Sequence, residues 1–171
     1  MAPKTASDAH KSPGLPILVS SPVDVGRLLR ELDEIDDTLL QLALRTGGKE
    51  VKIPKTSRLM DQTIEINHLN LLKQHDREAL KQFLTIVGNT APVLHMSFSV
   101  DPPVVFVEKL ITWLRQEIDP LLLITIGLEP NMGGGCIVRT TNHQFDFSLR
   151  KYFAQKRDLL IQQLVITETA Q

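Results

Sequence analysis

Cys136 is the residue whose type and setting most invite a catalytic reading: it is the only cysteine, it follows Gly133, Gly134 and Gly135, and His95 or His143 could act as its base. A thiol nucleophile needs a base within hydrogen-bond reach and a third group to orient that base. Cys136 instead opens the apolar run Cys136-Ile137-Val138, where a small thiol side chain ordinarily packs into a core. The glycine triplet lacks the Gly-Lys-Ser/Thr that would meet a nucleotide phosphate and magnesium, and it precedes a strand rather than a helix. Asp33, Glu34, Asp36 and Asp37 form an acidic run, but at helical periodicity and without the glycine and alternating ligands of a calcium loop. His68 and His75 would share a face only on a continuous helix, and Asn70 and Asp76 signal a break between them. No catalytic residue, cofactor or metal is expected, so the chain is read as a protein that binds rather than one that reacts.

The composition narrows what it could bind. The 171 residues carry 19 basic and 20 acidic side chains, a formal net charge of -1, so no whole-chain field draws in nucleic acid or anionic lipid. At 42% hydrophobic, the chain can build one ordinary domain or two small ones. A single cysteine excludes an internal disulfide. The most apolar run, Leu121 to Leu128, is far shorter than the roughly 20 residues a membrane-spanning helix needs. No nucleic acid partner and no direct membrane insertion are expected.

Three regions follow from the patterning. Residues 1–20 have no apolar run that could form a signal-peptide core and are expected to be a disordered tail. Residues 21–92 read as about three helices. Ser21-Pro22 opens the first, which carries Leu28, Leu29, Leu32, Ile35, Leu39, Leu42 and Ala43 on one stripe and stops at Gly47-Gly48. Residues 49–56 read as a linker or short edge strand. Ser57 caps a second helix with Leu59, Met60, Ile64, Ile66 and Leu69. Asp76 begins a third, with Leu80, Phe83, Leu84 and Val87 inward and Gly88-Asn89 as its stop.

Residues 93–171 read as a small mixed domain of order β-α-β-β-β-α, which makes the whole chain α+β. The strands are Val93 to Val100, Leu121 to Leu128, Gly135 to Thr141 and Gln144 to Phe147, the first two parallel and the later ones antiparallel. Asp101 is expected to cap the crossover helix, with the two prolines as its first residues and Val105, Phe106, Leu110, Trp113, Leu114 and Ile118 facing the core. Asp146 and Ser148 are candidate caps for a last helix running from Phe147 to about Val165. Its stripe of Leu149, Phe153, Leu160 and Leu164 is expected to dock on the sheet, while Tyr152, Leu159 and Ile161 widen the apolar arc enough to receive another helix. Arg150, Lys151, Lys156 and Arg157 form a basic side with no interleaved aromatic platform for bases.

One run of features is collinear with a known pattern: Glu129-Pro130, Gly133 to Gly135, Ile137-Val138-Arg139, Asp146-x-Ser148, then a helix with Leu149, Arg150, Leu159, Leu160 and Leu164. It resembles the C-terminal domain of the delta subunit of F-type ATP synthases, the oligomycin sensitivity-conferring protein family. The likeness extends from about Leu69 to Leu164, with Asp101-Pro102-Pro103-Val104 standing where the family has a small-residue and proline-leucine turn. The resemblance implies a non-catalytic stator subunit that links the peripheral stalk to the catalytic head during proton-driven ATP synthesis. Its partners would be the C-terminal helices of the b subunit and the alpha subunits, and its location the cytoplasm, held at the inner face of the membrane by the complex. Partner binding is then expected at Gly133, Gly134, Gly135, Ile137, Arg139, Tyr152 and Leu159, with Asp146 and Ser148 as structural caps. The N-terminal half is shorter than the family's helical bundle, so the alternative is a free-standing protein-binding adaptor or regulatory module that reuses the same domain.

Overall fold

The computed structural model describes residues 13–46, 54–154 and 156–157. Helix α1 spans Pro22–Thr46. Its start is a reciprocal cap: the Asp24 carboxylate accepts from the Ser21 amide (3.0 Å) and hydroxyl (2.8 Å), and Ser21 Oγ accepts from the Asp24 amide at 3.3 Å. Val25, Leu28, Leu32 and Ile35 are buried at helical spacing, whereas Ala43 is exposed because α1 outruns the helices beside it. Helix α2 (Arg58–Asn67) is capped by Ser57, whose Oγ accepts from the Met60 amide at 3.2 Å. Glu31 fixes that cap to α1, accepting the Ser57 amide and hydroxyl at 2.6 Å each. His68, in the left-handed region at φ 52°, closes α2, so His68 is the cap of one helix and His75 lies on the next.

Helix α3 (Gln74–Thr90) starts before Asp76 and runs through Gly88-Asn89. Both ends have local causes. The Asp76 carboxylate accepts from the Asn70 amide at 2.9 Å, tying the preceding turn to the helix instead of capping its first residue. Ala91 precedes Pro92, whose ring disfavours the helical region for its neighbour, and Ala91 is accordingly extended at ψ 136°. Ion pairs Arg77–Asp36 and Lys81–Asp33 join α3 to α1 over a shared core of Leu28, Leu32, Leu80, Leu84 and Val87.

The remaining elements are β1 (Val93–Phe98), α4 (Val104–Glu117), β2 (Leu123–Leu128), a 3-10 turn at Pro130–Met132, β3 (Cys136–Arg139) and β4 (Gln144–Asp146). They form one mixed sheet of order β2-β1-β3-β4, with β1 and β2 parallel and the other pairs antiparallel. The fold is α+β, and the order β-α-β-β-β is the expected one.

Four expectations need correction. Asp101 is not a cap: each residue before a proline is pushed out of the helical region, so Asp101 and Pro102 are both excluded and α4 begins only at Val104. Its buried face is Ile111 and Leu114, with Val107 and Leu110 at the margin, while Val105, Phe106, Trp113 and Ile118 are exposed. Residues 13–20, which fall within the tail expected over residues 1–20, lie against the helices, and Val19 is fully buried. That segment forms a strap: Asn67 of α2 clasps both backbone groups of Gly14, and Arg115 of α4 donates to the carbonyls of Leu15, Pro16 and Val19. Residues 149–154 and 156–157 are helical, but Leu149 is 47% and Phe153 52% exposed, so this part does not dock on the sheet. Its first turn is tied at the outer corner, where the Leu149 amide donates to Gly134 O at 3.0 Å. Leu159, Leu160, Ile161 and Leu164 lie outside the described residues, as do 49–53 of the expected linker.

Candidate partner-docking face

Register assigns every strand residue to one side of the sheet. Leu94, Met96 and Phe98 of β1 share a face with Ile124, Ile126 and Leu128 of β2, Cys136 and Val138 of β3, and Phe145 of β4. The other face carries Val93 and Leu123, which pack into the helical layer, and then the mainly polar set His95, Ser97, Thr125, Gly127, Ile137, Arg139, Gln144 and Asp146. Helix α4 lies on the apolar face, burying Met96, Phe98 and Ile124 beneath Ile111 and Leu114. Being the crossover between β1 and β2, it covers that half of the sheet.

Cys136 and Val138 of β3 are half-buried against the α4 cluster, and beyond them Phe145 of β4 and the following Phe147 form an exposed aromatic shelf. Phe145 and Phe147 are stacked there, their centroids 6.4 Å apart and their planes at 14°, with Phe147 62% exposed. His143 meets the edge of Phe145 at 6.1 Å. The wall of the shelf is α4. Arg115 points to the strap, and Trp113, about 200° round the helix from it, points the other way. Phe106 and Leu110 lie on that same side, Phe106 standing edge-on to Phe98 at 6.0 Å. Trp113 is 56% exposed. Exposed aromatic rings gathered on one side of a sheet, on α4 and at β4, are the feature a docking site would use.

The residues expected to bind a partner do not form one patch. Ile137 and Arg139 are on the opposite, polar face. Tyr152 is exposed on the last helix with its ring against Phe153 at 6.1 Å. The glycines shape the corner between β2 and the last helix: Gly133 at φ 74° closes the 3-10 turn, and Gly135 at φ 88° lets the Phe147-Ser148 backbone pass where a side chain would stand. Asp146 accepts from the Ser148 amide at 2.9 Å, and the buried Ser148 accepts from the Lys151 amide at 3.3 Å, so the two act in series at the helix start. Hydrogen bonds from Ser148, with help from Lys151, hold the Asp146 carboxyl below its ordinary range.

Thiol chemistry finds no support in this geometry. Cys136 packs beside Phe98 on the α4 face, while His95 is on the other face and His143 sits at the far end of the β3–β4 hairpin. Burial pushes the thiol pKa up, away from the thiolate a nucleophile needs. Among the described residues no cluster of three His, Cys, Asp or Glu side chains is placed to hold a metal. None of their helices is long and apolar enough to cross a membrane. Sequence reasoning missed Arg115, whose guanidinium is satisfied by four backbone carbonyls, those of Leu15, Pro16, Val19 and Leu122, and it placed Phe106 and Trp113 in the core. Comparison with protein-family models gives no match, and a search of curated proteins gives none either.

Proposed function

We propose that the chain is a non-catalytic peripheral-stalk subunit of an F-type ATP synthase, joining the b subunit to the catalytic head. The observation that carries this reading is the aromatic shelf of Phe145, Phe147, Phe106 and Trp113, a static apolar surface beside α4 that suits an incoming helix. The ordered motif from Glu129 to Ser148 supports it, as does the absence of a nucleophile–base pair at Cys136. A stator resists torque through a large fixed interface and has no use for a reactive cleft. In this reading the C-terminal helices of b lie along the shelf, the alpha subunits meet the α1–α3 layer, and the complex holds the chain on the cytoplasmic side of the membrane. Tagged chain should co-purify with b and alpha subunits. Recovery of a coupled synthase lacking this chain would overturn the proposal.

A second reading is favoured by one observation. The helical layer has three helices among the described residues, closed by the strap rather than by further helices. A free-standing adaptor that uses the same shelf for another client fits that economy. It predicts that pull-downs through the shelf recover a single client protein and neither b nor alpha.

A further inference from the structure

The geometry points to a second interaction site, the outer edge of β2, which takes an extended apolar segment of a partner protein by strand addition. It stands on the opposite side of α4 from the aromatic shelf and does not rest on the stalk reading.

Along a parallel-paired strand, alternate residues turn both backbone groups to the same side. The Leu123 amide donates inward to Pro92 O at 3.0 Å, and the Ile124 amide donates outward to Ser20 O at 2.7 Å. Ile124, Ile126 and Leu128 therefore present their N–H and C=O groups to the edge. The first of the outward groups are taken, since Arg115 Nε donates to Leu122 O at 3.1 Å and the strap meets Ile124. The strap goes no further, because α1 begins at Pro22. Ile124 O, both backbone groups of Ile126 and the Leu128 amide are left without a hydrogen-bond partner among the described residues.

Edges of this kind are normally blunted by lysine, proline, a bulge or a covering segment. Leu-Ile-Thr-Ile-Gly-Leu carries no charge and no proline, and its register to β1 is unbroken. Ile126 is partly exposed and Leu128 57% exposed, both on the α4 side. Helix α4 runs antiparallel to β2, so its exposed first residue, Val104, which lies on the Arg115 side, stands at the same end. An added strand would lay alternate side chains on these three residues and the others beside Thr125 and Gly127. The fitting segment is apolar at every second position, with a basic residue favoured near Glu129, just past the strand. A second copy fits poorly. Antiparallel pairing of two β2 edges about Ile126 would set Leu128 of one copy against Ile124 of the other, where Ser20 already sits.

The test uses the full chain, isotope-labelled for amide exchange, and a synthetic peptide alternating valine and threonine between terminal lysines. At a peptide concentration about ten times its Kd, exchange at Ile126 and Leu128 should slow about tenfold. Ile126→Pro removes the outward donor while sparing the β1 ladder, because an edge strand tolerates proline where its amide faces away from the sheet; this variant should lose the protection. A peptide N-methylated at alternate positions, used on the unaltered chain, should protect neither amide even if that variant fails to fold. Equal protection by the N-methylated peptide, or none from the parent at millimolar concentration, would overturn the proposal. So would protection in the free monomer, or protection that rises with protein concentration alongside a dimer in sedimentation.

Discussion

A methyl group on Gly135 would stand 2.3 Å from the Phe147 carbonyl oxygen and 3.0 Å from Ser148 Cα, both backbone atoms that cannot step aside. Gly133 has a comparable positive φ but open space around it. The two positions separate conformational strain from collision. Gly133→Ala should cost about 1–2 kcal/mol, the ordinary penalty of a left-handed non-glycine residue. Gly135→Ala should exceed that in denaturant unfolding, and its loss should fall on the start of the last helix, read as lost amide protection at Leu149. Next to it, the Asp146 carboxylate is held ionised by Ser148, so its pKa is lower folded than unfolded. Its contribution is then present above the ordinary aspartate value of about 4 and lost as pH falls through the depressed one. Asp146→Asn should flatten the acid limb of the stability curve below about pH 4. A variant with an unchanged acid limb would show that the cap does not depend on charge. Cys136, its thiol pushed up by burial, should react with iodoacetamide more slowly than free cysteine at pH 8.

Elements were legible where a local rule decides them and obscure where a distant group does. Ser21-Pro22, Ser57, Ser148, the alternation in β1 and β4 and the short apolar runs of β2 and β3 put the helices and strands in the right order, because caps and short patterns act over a few residues. The strap has neither periodicity nor a cap of its own. It is ordered by Arg115, which lies 96 to 100 positions away and bonds only to carbonyls, groups that every residue type offers. The exposed side of α4 was hidden for a different reason: several faces of that helix are apolar, so periodicity alone does not say which one turns inward. The strap's dependence on one side chain can be measured. Arg115→Met should destabilise the chain by on the order of 3 kcal/mol, since it strips a charged donor from several carbonyls at once. Exchange should rise first at Val19 and Ile124. Arg115→Lys should recover only part of this, because an ammonium is a point donor where the guanidinium is a fork. Equal stability of all three proteins would mean that the strap is held by Val19 and Leu15 packing alone.

At the scale of the molecule, two hydrophobic clusters meet where Leu123 of β2 belongs to the helical layer and its neighbours Leu122 and Ile124 to the sheet layer. With the interior closed in this way, the exposed rings of Phe106, Trp113, Phe145 and Phe147 are left on the α4 side of the sheet. Whether a helix covers them is a property of assembly, which is why neither strand alternation nor helix periodicity could reveal the shelf. Trp113 is the sole tryptophan and sits on its wall, so its fluorescence reports on the site. In the free chain the indole should be readily quenched by iodide, and on binding a C-terminal helix of b it should become shielded. Phe147→Ser should leave stability within about 0.5 kcal/mol, as expected of an exposed position. If the ring anchors the partner, the same change should weaken binding by roughly thirtyfold, the equivalent of about 2 kcal/mol for an interface hot spot. Arg139→Ser, on the opposite face, should leave the affinity unaltered. An indole equally open to iodide in the complex, or loss of binding from Arg139→Ser and none from Phe147→Ser, would move the interface to the polar side of the sheet and remove the shelf from the proposal.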